Sequence, residues 1–211
     1  MTQDISILGH TFTLHPSAAV FWKERSTLLI SDVHLGKVSH FRKHGVAVPE
    51  NAVAANFHRL DAVLTHFEPE TVIFLGDLFH SKKNREWELF DGWVQSAEAR
   101  IVLVAGNHDI IAQRHYDDLG ILVVKELVSD GFLLTHHPEE RDGLFTFCGH
   151  IHPAIELRGI GRQFIKLPCF FRKENQMILP AFGEFTGTYV LMPENEDCVY
   201  AIAQDRIVKV C

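Results

Sequence analysis

Seven residues stand out for what their types and spacing can do together: Asp32 and His34, Asp77, Asn107, His136, and His150 with His152. Each falls just past a short apolar run, in the segments LLISDVH, VIFLGD, VLVAGNHD, FLLTHH and FTFCGHIH. In an extended segment, residues two apart point to the same side, so Asp32 and His34 can present two donors to one cation. Carboxylate and carboxamide oxygens mixed with neutral imidazoles suit borderline divalent ions such as Mn²⁺, Fe²⁺ or Zn²⁺ better than Mg²⁺. Seven donors exceed one tetrahedral site. They suit two cations sharing one carboxylate, an arrangement used for in-line attack on phosphate esters.

The elements that must position these residues follow from periodicity. Leu28 to Ile30, Thr71 to Leu75 and Ile101 to Ala105 are short apolar runs of the kind buried parallel strands show. Between them, Val53, Phe57, Leu60, Val63, Leu64 and Phe67 recur at helical spacing after Pro49, and Trp87, Phe90, Trp93, Val94 and Ala97 do the same over Asn84 to Ala97. Both stripes are assigned to the core. The result is a βαβαβ half with its polar residues on one edge. Ahead of it, Ile5 to Leu8 and Thr11 to Leu14 read as a hairpin turning at Gly9-His10, with Ala19 to Trp22 as another strand. Beyond Gly120, Ser129-Asp130-Gly131 reads as a hairpin turn that leads into Phe132 to Thr135. Leu144 to Cys148, Phe164 to Phe171, Met177 to Leu179, Thr188 to Met192, Val199 to Ala203 and Ile207 to Val210 read as antiparallel strands closing the second half.

A chain of 211 residues with 46% hydrophobic content has enough material for one domain, 1–211, with a sizeable core. No apolar stretch reaches the ~20 residues of a membrane span, and the N-terminus lacks a basic start followed by an apolar run, so the protein is expected to stay in the cytoplasm, without membrane contact. Cys148, Cys169, Cys198 and Cys211 form no CxxC pair and read as free thiols. A formal net charge of -7 argues against a generally basic coat, yet bound cations invert the local field, so nucleic acid is not excluded. Oligomeric state is not written in these features.

Taken together, the five ligand motifs resemble those of the calcineurin-like metallophosphoesterase superfamily. That resemblance implies an α/β fold, a four-layer α-β-β-α sandwich with mixed sheets. It also implies a metal-dependent phosphoesterase in which Asp32, His34 and His152 hold one ion, Asn107, His136 and His150 hold the other, and Asp77 lies between. His136 competes with its neighbour His137 and is preferred because it sits at the immediate strand end. The same resemblance gives His108 a catalytic role over the substrate phosphate, sharing developing charge and protonating the leaving oxygen, while a water activated by the two cations attacks phosphorus. Asp109, the next residue, either orients His108 or caps the following helix.

A narrower similarity, carried by SDVHLGKVSHFRKHGVAVPE, GDLFHS, LPCFF and ILPAFGEFTG, is to the bacterial ligase-associated DNA-damage-response metallophosphoesterases. It implies a Mn²⁺-dependent phosphodiesterase or endonuclease acting on single-stranded DNA, with a functional link to a DNA ligase, a helicase and an exonuclease. Lys37, Arg42 and Lys82, with His40, Lys43, Lys83 and Arg85 nearby, supply cations beside the ligands for substrate phosphates. Phe41 and Phe79 are core residues or base-stacking platforms. A phosphomonoesterase, a cyclic- or lipid-nucleotide phosphodiesterase and a non-catalytic metal-binding scaffold are the competing expectations.

Overall fold

The computed structural model describes residues 1–38, 52–161, 163–184 and 186–210. The first sheet runs in spatial order β1 (Gln3–Ile7), β2 (His10–His15), β3 (Ala19–Trp22), β4 (Thr27–Ile30), β5 (Thr71–Leu75), β6 (Arg100–Val104) and β7 (Leu122–Val124). Pairing is antiparallel from β1 to β4 and parallel from β4 to β7. Helix α1 (Ala52–Phe67) connects β4 to β5 and α2 (Arg85–Ser96) connects β5 to β6, which is the βαβαβ half expected from periodicity. The first hairpin turns one residue earlier than expected, at Leu8-Gly9, because Ile7 pairs with His10 and both central residues have positive φ.

Alternation along the buried strands gives the first sheet two apolar faces. Leu28, Ile30, Phe74 and Leu103 face α1 and α2, where they meet Leu60, Phe90 and Trp93. Fully burying a side chain of this size stabilises the fold by roughly 1.5–3 kcal/mol. Asn84 starts α2 by accepting the backbone N–H of Glu86 at 2.8 Å. Leu29, Ile73, Leu75 and Val102 point the other way, into a layer shared with Phe147, Phe170 and Met177 of the second sheet.

That second sheet comprises β8 (Leu127–Ser129), β9 (Phe132–Leu134), β10 (Phe145–Cys148), β11 (Pro153–Arg158), β12 (Phe164–Lys173), β13 (Gln176–Ile178), β14 (Tyr189–Val190), β15 (Cys198–Ala203) and β16 (Arg206–Lys209). It is mixed rather than wholly antiparallel, since β10 pairs in parallel with both β9 and β13, and β11 with β14. Strand β11 escapes periodicity because it opens on a proline and carries Glu156 and Arg158 in its second half. On its outer face, Ile155, Cys169, Phe171, Ile178 and Val199 form a smaller cluster in which no residue of α1, α2 or the short α3 (Gln113–Asp117) takes part. Two mixed sheets packed face to face with flanking helices thus make an α/β sandwich. Cys148, Cys169 and Cys198 form no disulfide among the described residues, and Cys211 lies outside them.

Candidate metal centre

The parallel strands β4, β5 and β6 all end at the same edge, and the loops that follow are laced together. Asp32 N–H donates to the Gly76 carbonyl, His34 N–H to that of Asp77 and Leu35 N–H to that of Leu78. Leu75 and His136 bring the second sheet to this edge, because Nδ1 of His136 hydrogen-bonds the Leu75 carbonyl at 2.9 Å. Five of the seven candidate ligands sit in the left-handed backbone region: Asp32 (φ 56°), His34 (51°), Asp77 (50°), His150 (69°) and His152 (53°). Such conformations cost on the order of 1–3 kcal/mol each outside glycine, least for Asp, Asn and His, and they cluster at functional sites.

Two groups of donors converge here. In the first, Nε2 of His152 lies 3.2 Å from Oδ1 of Asp32 and 3.3 Å from Nε2 of His34. Oδ2 of Asp32 is already engaged, accepting from Ser31 Oγ at 2.5 Å and from His150 N–H at 2.9 Å. Oδ1 is buried and makes no hydrogen bond among the described residues. In the second, Nε2 of His136 lies 3.1 Å from Oδ1 of Asn107, 3.2 Å from Nδ1 of His150 and 3.4 Å from Oδ1 of Asp77. Asp77 joins the two groups: Oδ1 faces His136, and Oδ2 lies 3.9 Å from Nε2 of His34.

The donor chemistry fits cations. His136 Nδ1 is paired with the Leu75 carbonyl and His152 Nδ1 with the Gly187 carbonyl, which leaves Nε2 of each ring facing inward as the nitrogen that can ligate a cation. Those nitrogens face oxygen and nitrogen acceptors, which repel one another unless a positive charge stands between them. Electrostatics agree. Burial alone would push the His136 imidazole down, but the hydrogen bond and charge of Asp77 outweigh it and hold the group above the ordinary histidine value. Burial dominates at His34 and takes it down to about 3 despite Asp32 and Asp77. Burial would raise Asp77, yet His136 and the His108 amide bring it to about 2.

Close backbone approach is built in by glycine. A Cβ at Gly149 would stand 1.6 Å from Ser31 Oγ and 2.4 Å from Asp32 Oδ2, and one at Gly106 would stand 2.3 Å from Asp77 Oδ1.

All seven candidate ligands are therefore brought to one edge. Buried His136 and exposed His137 both lie beside His150, with one donor atom from each of the three within 4.8 Å of the others and the His137 ring 4.2 Å from that of His150. His108 belongs to neither group. Its ring stacks on His80 at 4.7 Å with a 28° interplanar angle and meets the edge of His34 at 5.6 Å. Lys37 is half-buried, its ammonium pushed down by burial and partly restored by Asp32 and Asp77. Lys82 is exposed on the loop between β5 and α2, and Arg42, like His40, Phe41 and Lys43, lies outside the described residues. Phe79 is fully buried against Trp87 and Phe90, which makes it a core residue and removes it as a stacking platform.

Asp109 does not cap the next helix, whose N-cap is Ala112. It accepts the Phe79 N–H at 3.0 Å and the Gly106 N–H at 2.8 Å, tying the loop of Asp77 to the loop of Asn107 and His108. Burial drives its carboxyl up to about 6, against the pull of those two amides. Three supports escaped sequence reasoning: Ser31 and the carbonyls of Leu75 and Gly187. Only Ser31, adjacent to Asp32, carries a side-chain signal.

A calcineurin-like phosphoesterase family profile matches residues 26–165. Among solved structures, the chain is similar to the crystal structure of Pseudomonas putida nuclease MPE, with 30% identity, 100% of each chain covered and a TM-score of 0.81. A protein of unknown function from Aquifex aeolicus matches at 18% identity and a TM-score of 0.45, over 60% of this chain and 78% of that one, too distantly to carry an argument. Comparison with curated proteins gives no match. No helix among the described residues is long and apolar enough to cross a membrane. The profile covers every candidate ligand from Asp32 to His152, and the chain belongs to the calcineurin-like phosphoesterase family, a metal-dependent phosphoesterase.

Proposed function

We propose that the protein is a dinuclear phosphodiesterase that cleaves single-stranded DNA as an endonuclease in DNA repair, with Mn²⁺ as its working ion. The observation that carries two cations rather than one is the split of Asp77, whose oxygens face different donor groups, 3.4 Å from His136 and 3.9 Å from His34. Asp32, His34 and His152 would hold one ion, Asn107, His136 and His150 the other, with Asp77 shared. When bound, the cations supply positive charge to the phosphate oxygens and lower the pKa of water enough for it to act as nucleophile near neutral pH.

The chain's own groups do the rest. Ser31 and the His150 amide restrain Asp32 so that a single oxygen points inward. His108, held by its amide to Asp77 Oδ1 at 2.9 Å and by its stack on His80, stands outside the donor groups, where it can share charge on phosphate and donate a proton to the departing oxygen. Lys37 adds a cation beside Asp32 and Asp77. The nucleic-acid substrate is supported by the likeness to the Pseudomonas putida nuclease over the whole chain.

The test is one protein preparation, stripped of metal and reloaded with Mn²⁺, Fe²⁺ or Zn²⁺, assayed on a small chromogenic diester, its monoester, a single DNA strand and a blunt duplex. The expected order is diester over monoester and single strand over duplex, because a flexible strand reaches recessed cations more easily than a stiff helix. Preference for the monoester, or efficient cutting of blunt duplex, would overturn this reading.

A further inference from the structure

Strand β11 leaves the donor groups directly, since Pro153 follows His152, and with β12 it forms a ribbon ending where Arg158 pairs with Phe164. At about 3.3 Å per residue, the five steps from Pro153 to Arg158 span ~17 Å. The burial of β12 changes sharply along its length. Phe170 and Phe171 are 0% and 1% exposed, whereas Phe164 of the same strand is 70% exposed and has no packing role among the described residues. Strand alternation puts Phe164, Lys166 and Phe170 on one face, and Phe170 is in the layer between the two sheets. The exposed part of that face therefore continues the edge at which both sheets deliver their metal-competent residues.

Phe164 is flanked by cations on this face. Arg158 is directly across the ribbon and Lys166 is two residues along, itself opposite Glu156. Glu156 accepts from Nε of Arg158 at 3.0 Å, but the Arg158 side chain is 83% exposed, and an ion pair so open to water is weak enough to give way to phosphate. An accessible aromatic ring between two cations is the chemistry that holds an unpaired nucleotide chain, one base on the ring and flanking phosphates on the charges. We propose that the β11–β12 ribbon is a second contact surface for a single nucleic-acid strand engaged at the metal centre, with Phe164 stacking on a base and Arg158 and Lys166 holding neighbouring phosphates. This rests on the nucleic-acid reading above and extends it to a remote specificity site.

The ribbon's reach of ~17 Å exceeds a single nucleotide step, so a strand must extend several nucleotides beyond the metal centre to touch Phe164. Wild type, Phe164→Ala, Phe164→Trp and Lys166→Gln are compared on a small diester, a thymidine strand shorter than that reach and one of twice its length, over a salt series. Phe164→Ala is expected to raise KM roughly tenfold for the long strand alone, with kcat unchanged, and Phe164→Trp to restore it. Lys166→Gln is expected to reduce the salt slope for the long strand by about one. An unchanged KM for the long strand in Phe164→Ala overturns the proposal and leaves the face to a protein partner. Equal losses on all three substrates overturn it as well, by making Phe164 a support of the centre. Hydrolysis of the diester with neither strand cut by wild type is a different failure, that of the nucleic-acid reading itself.

Discussion

Nε2 of His136 lies 3.4 Å from Oδ1 of Asp77, while the opposite nitrogen of the same ring is committed to the Leu75 carbonyl. Without a cation, a proton must mediate between this ring and this carboxylate, and the raised His136 value reflects that. A metal ion occupying the second donor group has to displace the proton. Affinity for Mn²⁺ should therefore weaken as pH falls through the raised His136 value, by up to about tenfold per pH unit for one proton exchanged. Calorimetry in buffers of different ionisation enthalpy reads the proton release directly. Binding that is independent of both pH and buffer would contradict the arrangement.

Asp77 turns a separate oxygen toward each donor group, whereas Asp32 has a single oxygen without a hydrogen bond among the described residues. Asp77→Ala should lower bound Mn²⁺ from two equivalents per chain to below one, while Asn107→Ala should spare the first site. Metal analysis of purified, dialysed variants decides this. An Asp77→Ala protein that keeps two equivalents would remove the bridging role.

His108 sits outside both groups, so His108→Ala should keep its metal content and lose turnover. The loss should be on the order of 10²–10⁴-fold for a diester with a poor leaving group, as for other positioned acids, and much smaller where the leaving oxygen needs no proton. Comparing alkyl and nitrophenyl esters of one phosphate separates the two. An equal loss on both would assign His108 to charge stabilisation alone.

How much of this was legible in the chain depends on the range of the interaction. Thr71–Leu75 and the helix between Asn84 and Ala97 lie where the sequence places them because a buried apolar run and an apolar stripe at helical spacing are local signals. The candidate ligands were legible because their types are chemically unusual at strand ends. What was not legible is set by partners far away in sequence. Parallel pairing of β10 with β13 depends on the chain reversing twice between them, from β11 to β12 and from β12 to β13, and the Gly187 carbonyl that orients His152 is a backbone atom with no residue type to announce it. Asp109 illustrates the same limit. Its neighbours in sequence suggested a cap or a partner for His108, but it is held by the amides of Phe79 and Gly106.

Gly149 and Gly92 are glycines of opposite kind. Gly149 has Ser31 Oγ where its Cβ would be, 1.6 Å away, with Asp32 Oδ2 at 2.4 Å, and both atoms belong to the first donor group or its support. Neither can retreat without moving a buried carboxylate that already accepts from Ser31 and from the His150 amide. Gly92 lies within α2, and a methyl group placed there would meet nothing within 4 Å. Gly92→Ala should accordingly stabilise the protein by roughly 0.5–1 kcal/mol through helix propensity and leave metal content and turnover unchanged. Gly149→Ala should lose the first cation and most activity, and cost about 1–3 kcal/mol of stability through overpacking. Thermal unfolding in chelator reads the stability change apart from metal binding, and metal analysis reads the site. If Gly149→Ala bound two equivalents with wild-type affinity, the close packing of the GHIH turn on Asp32 would have to be abandoned.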